Sequence, residues 1–122
     1  QLLQHCINSL RLNPPFNMKK IKLVLKYEEA NEIYADLFNN GVGIGPGKKE
    51  YYSIMVSALL VGLYTKLAPK VMFRTDRPIK LSLDVATACA LVVYVSLRYT
   101  DPTAYLDNIY LRLSTEIDQQ LA

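Results

Sequence analysis

Histidine is nearly absent from this chain: His5 is the only one in 122 residues. Without imidazole there is no base for a Ser–His or Cys–His nucleophile, and no mixed set of ligands for a metal. No enzyme, cofactor, metal or small-molecule substrate is expected. There are two cysteines, Cys6 and Cys89, and neither belongs to a CxxC pair. That excludes a disulfide framework. With no signal peptide in view, a reduced, cytoplasmic setting is expected. Long apolar runs are also missing. Ile54–Tyr64 and Val85–Leu97 are the most apolar stretches, and Lys66 and Arg98 follow them closely. Both fall short of the roughly 20 apolar residues that a spanning helix needs, so they read as core helices and no membrane is expected. The net charge of +3 is too small to imply nucleic acid by itself.

Hydrophobic residues make up 51% of the chain, which argues for one folded domain and against disorder. The charge is unevenly placed. From Met18 to Lys80, nine Lys and two Arg stand against six acids, or +5; from Leu81 onward, two Arg stand against five acids, or −3. Gln1–Asn17 reads as a leader, flexible or foreign to the native protein, with Met18 as a natural start.

In "KIKLVLK", Ile21, Leu23 and Leu25 alternate with Lys20, Lys22, Val24 and Lys26. A period of two predicts a half-buried strand with the lysines on the wet side. In the next segment Ala30, Ile33, Tyr34, Leu37 and Phe38 recur at helical spacing, and Asn39-Asn40-Gly41 is a stop signal. A second helix is expected from Lys48 to about Ala68, ended or kinked by Pro69. Then the pattern restarts. Ile79, Lys80, Leu81, Leu83 and Ala88 repeat Ile21, Lys22, Leu23, Leu25 and Ala30 after a shift of 58 residues. A helix from Asp84 to about Tyr99 follows. A last helix runs from Thr103 to about Gln120, with Asp101 as N-cap and Pro102 at its first position. The expected fold is α+β and mostly helical. It comprises two strand–helix–helix units, residues 18–73 and 74–122, whose short strands pair as an antiparallel ribbon.

The stretch "NNGVGIGPGKKEYY", Asn39–Tyr52, invites comparison with phosphate loops. A P-loop register on Gly47-Lys48 puts Val42 where glycine belongs and Lys49 where Ser or Thr belongs, and the stretch follows a helix rather than a strand. It reads as an interhelical linker. Lys48 and Lys49 still stand at a helix start, where free N–H groups attract anions. Glu28, Glu29, Glu32 and Asp36 could be mistaken for catalytic or metal carboxylates; with no histidine beside them they read as a solvated helix face. Most of the nine tyrosines read as core or boundary residues with the hydroxyl at the rim. Cys89, inside "ATACALVV", reads as a small core residue. The outward row of the strand pair, Lys20, Lys22, Val24, Lys80 and Ser82, is basic. Lysines on a short sheet can serve as edge protection or as a binding face.

The segment "MKKIKLVLKYEEANEIYADL", followed by "YYSIMVSALLVGLYTKL", resembles the ribbon-helix-helix family of DNA-binding proteins. The resemblance implies a single-chain pseudo-dimer spanning Met18 to Ala122, whose ribbon enters the major groove of double-stranded DNA. It implies Lys20, Lys22, Val24, Lys80 and Ser82 as base readers, and Lys48 and Lys49 beside a phosphate clamp. The alternative expectation is a homo-oligomeric interaction protein, with apolar helices packed between copies and the lysines merely solubilising.

Overall fold

The computed structural model describes residues 19–41, 51–98, 101 and 103–122. Two strands form one antiparallel sheet: β1, Lys20–Leu25, and β2, Ile79–Asp84. The alternation read from the sequence is present in space. Ile21, Leu23 and Leu25, with Ile79, Leu81 and Leu83, are buried, while Lys20, Lys22, Val24 and Lys80 face solvent. Burying one such Leu or Ile contributes about 1.5–3 kcal/mol, so the apolar face alone holds the register. In that register Leu23 lies opposite Leu81, Ile21 opposite Leu83 and Leu25 opposite Ile79.

Four helices complete the described fold: α1, Tyr27–Asp36; α2, Tyr51–Val71; α3, Val85–Leu97; and α4, Tyr105–Leu121. After α1 the chain widens into a π turn, Leu37–Gly41. α3 is apolar nearly all round, and such a helix must be covered on every side. It runs through the middle, packed against α2, α4 and both strands. The others bury one stripe each. On α2 the stripe is Val56, Leu60, Leu63, Leu67 and Val71; on α4 it is Ile109, Tyr110, Leu113, Ile117 and Leu121. α1 is fastened to α2 by a stacked pair, Tyr34 on Tyr64, with ring centroids 4.6 Å apart.

Three boundaries differ from the sequence reading. α2 does not stop at Ala68; it continues through Pro69 to Val71. Leu67 and Val71 are both buried on either side of the proline, and the Tyr27 hydroxyl donates to the last carbonyl, Val71 O, at 3.2 Å. α4 starts at Tyr105 rather than Thr103, because Asp101 is drawn into a turn of its own. Its Oδ1 accepts from Thr103 N (3.0 Å) and Thr103 Oγ1 (2.7 Å), and the N-cap position falls to Ala104. Finally, Ile54–Val71 is an 18-residue window of mean hydropathy 1.4, long and apolar enough by composition to cross a membrane. The apolar run read from sequence stopped at Tyr64 because Lys66 follows. In the fold, Lys66 turns its Nζ back onto the Ser82 carbonyl at 2.6 Å, and the helix carries on.

Candidate nucleic-acid interface

The outward side of the ribbon carries three cross-strand pairs: Lys20 with Asp84, Lys22 with Ser82, and Val24 with Lys80. Lys20, Lys22 and Lys80 are exposed, Val24 is 50% exposed, and Ser82 is half-buried. The five outward residues singled out in the sequence therefore share one face. Lys48 and Lys49 lie outside the described residues. The described part of α2 begins at Tyr51, and Lys66, whose Nζ bonds the ribbon at the Ser82 carbonyl, lies about 22 Å further along the helix axis.

Asp84 is the one acid in that outward row, and it is occupied. Its Oδ1 accepts the Thr87 N–H at 2.7 Å, capping α3. Burial pushes the Asp84 carboxyl up, but the Thr87 hydrogen bonds and the nearby Lys20 and Lys66 outweigh it and hold the carboxyl below its ordinary range.

Each edge of the ribbon is bonded at one residue, Lys22 or Ser82, by a side chain that gives no local signal in the sequence. On β1, the Gln120 amide from the last turn of α4 behaves like a strand. Lys22 N–H donates to Gln120 Oε1 at 2.8 Å, and Gln120 Nε2 donates to Lys22 O at 2.7 Å. On β2, Lys66 covers the Ser82 carbonyl. Arg112 braces the exit of β1. It holds Glu29 through Nη1–Oε2 (2.6 Å) and Nη2–Oε1 (3.2 Å), while Glu29 Oε1 also accepts the Lys26 N–H at 2.8 Å. Burial pushes the Glu29 carboxyl up; the bonds from Arg112 and from the Lys26 backbone overcome it, and the carboxyl stays below its ordinary range.

A second polar cluster lies where α1 and α3 end. Asp36, only 8% exposed, accepts four hydrogen bonds. Oδ2 takes the Tyr110 hydroxyl (2.6 Å), the Tyr94 hydroxyl (2.8 Å) and Arg98 Nη1 (3.0 Å); Oδ1 takes Asn40 Nδ2 (3.0 Å). Arg98 Nη2 reaches on to Asp107 Oδ1 at 2.9 Å, and the Arg98 guanidinium lies 4.8 Å from the centre of the Tyr110 ring. Burial first, then the hydrogen bond to Asp36, pushes both tyrosine hydroxyls well above their ordinary range, so they stay protonated donors. This corrects the reading of Glu28, Glu29, Glu32 and Asp36 as one solvated face. Glu28 and Glu32 are exposed, whereas Glu29 and Asp36 are buried and bonded. The Tyr110 hydroxyl is inside and is an exception to the rim position expected of most tyrosine hydroxyls. A usable signal existed: Glu29 and Asp36 fall on the same helical stripe as Ala30, Ile33 and Leu37.

Comparison of the chain with protein-family models, with curated proteins and with solved structures finds no match.

Proposed function

We propose that this is a cytoplasmic, non-enzymatic DNA-binding protein of the ribbon-helix-helix kind, folded as a single-chain pseudo-dimer. The observation that carries it is the outward row: three exposed lysines with Val24 and Ser82, its single acid already spent on a helix cap. Gln120 and Lys66 take up backbone groups at the middle of each edge, at Lys22 and Ser82, and leave the outward side chains of the ribbon exposed. A two-stranded ribbon fits the major groove of B-DNA, about 12 Å wide. There, lysines can reach guanine edges or phosphates, and Val24 can meet a thymine methyl.

Support for two related βαα units comes from the register. Leu23 faces Leu81, its own counterpart 58 residues on, and Ile21 and Leu25 face Leu83 and Ile79, each the counterpart of the other. A twofold axis between Leu23 and Leu81 carries one strand onto its partner. The caps correspond as well: Lys26 ends β1 where Asp84 ends β2.

The test is fluorescence anisotropy of a labelled mixed-sequence duplex at about 50 and 200 mM salt, for the wild type and a Lys22→Gln, Lys80→Gln variant. Each phosphate contact weakens binding about 3.5-fold over that salt range. Salt-sensitive binding lost in the variant is the expected result; no binding at low salt overturns the proposal.

A second reading, self-association, draws on α2. Its outer side exposes Ile54, Met55 and Val61, and Gly62 faces open space, with nothing there for an added Cβ to meet. A helix face about 27 Å long and 10 Å wide covers about 270 Å², well under the ~800 Å² per partner of a stable interface. On α2 alone this reading ranks second. Sedimentation equilibrium giving a monomer would remove it, and a dimer lost in Val61→Lys would support it.

A further inference from the structure

The two ends of the ribbon are built differently. Where β2 runs into α3, the cap is Asp84, an anion belonging to the chain itself. Where β1 runs into α1, the cap position is Lys26, which has no acceptor to offer. Beside Lys26 a cleft of about 500 Å³ opens between the start of α1 and the loop that feeds β2. Its wall carries four cations, Lys26, Arg74, Arg77 and Arg112, and three acids, Glu28, Glu29 and Asp76. Most of that charge is committed. Arg112 is bound to Glu29 through two hydrogen bonds; Arg74 pairs with Glu28 at 2.7 Å and lies 5.4 Å from the centre of the Tyr27 ring. The side chains of Lys26 and Arg77 make none of these bonds; Lys26 is close enough to Glu29 to help hold its carboxyl down, and Asp76 is the third acid of the wall. Arg77 is held in a tight turn, its N–H donating to Thr75 Oγ1 at 3.1 Å. The loop then enters β2 at Ile79, so the cleft adjoins the Val24–Lys80 end of the outward row.

We propose that this cleft, through Lys26 and Arg77, anchors a backbone phosphate of the same duplex whose groove the ribbon enters. It rests on the function proposed above. The wall as a whole, four cations against three acids, carries one net positive charge, and a phosphodiester carries one negative. The planar fork of Arg77 suits two phosphate oxygens.

The experiment compares the whole chain with two variants, Lys26→Gln/Arg77→Gln in the cleft and Lys22→Gln/Lys80→Gln on the ribbon. Anisotropy on a duplex of about 20 base pairs is read at 50 and 200 mM salt, beside thermal melts. The cleft variant is expected to melt like the wild type, bind more weakly, and lose about 3.5-fold less affinity between the two salts, as one phosphate contact fewer requires. Wild-type affinity and salt dependence in the cleft variant, with binding lost in the ribbon variant, overturns the anchor and leaves the DNA-binding proposal standing. Weakened binding in the cleft variant with full binding in the ribbon variant supports the anchor and overturns groove entry. No duplex binding by the wild type overturns both.

Discussion

At the ribbon, Lys20, Lys22 and Lys80 stand in solvent; where α1 and α3 end, Asp36, Arg98 and Asp107 are withdrawn from it and bonded to one another. Exposed charges of the first kind contribute little to stability, commonly under 1 kcal/mol. Buried groups of the second kind are costly to disturb singly, because a partner left behind stays buried. The difference separates two jobs. The cluster around Asp36 ties α1, α3 and α4 together, and the lysines are left available for a partner.

The largest loss of stability is expected from Asp36→Ala. It takes the acceptor from the buried Tyr110 hydroxyl and the half-buried Tyr94 hydroxyl and leaves Arg98 with Asp107 alone, so unfolding in urea should show a loss of about 3–5 kcal/mol. A loss under about 1 kcal/mol would mean that the cluster does not tie the helices. Tyr110→Phe removes a single bond to a charged acceptor and should cost about 1.5–3 kcal/mol, with Tyr94→Phe costing less because that ring is only half-buried.

Smaller still is the response to acid. The Glu29 carboxyl lies below its usual 4.5 and that of Asp84 below its usual 3.8. As pH falls, the unfolded chain therefore takes up protons before the folded one does. The stability these groups contribute is complete above about pH 4.5 and drains away as pH drops through their depressed folded values. Melting curves between pH 5 and 2.5 should show this, and a Glu29→Gln, Asp84→Asn variant should flatten it. The smallest effect belongs to the ribbon. Lys22→Gln with Lys80→Gln should shift the unfolding free energy by no more than about 0.5 kcal/mol. A larger change would mean that these lysines hold the fold rather than face a partner.

What the sequence made legible was periodic and local. The strands could be read because a period of two leaves three lysines on one side and six Ile or Leu on the other. Their antiparallel pairing followed from the 58-residue echo between Ile21 and Ile79. The long-range chemistry could not be read. Asp36 looks like one more carboxylate on an acidic helix until Arg98 and Tyr110, 62 and 74 residues away, are brought to it. Pairs such as Gln120 with Lys22, 98 residues apart, follow no spacing rule at all. Asp101 misled for the opposite reason: its own Thr103 was close enough to claim it before the helix could.

The Gln120 clamp has a consequence for the moment of synthesis. β1 is made before its hydrogen-bonding partner β2, which emerges some 54–64 residues later, and the amide that fastens Lys22 on its other edge follows 98 residues after that lysine. Until then the strand is an open ribbon edge, guarded by the lysines it carries. A chain that has reached Asp84 but not Gln120 holds both strands of its sheet and lacks the group that fastens the outer seam at Lys22.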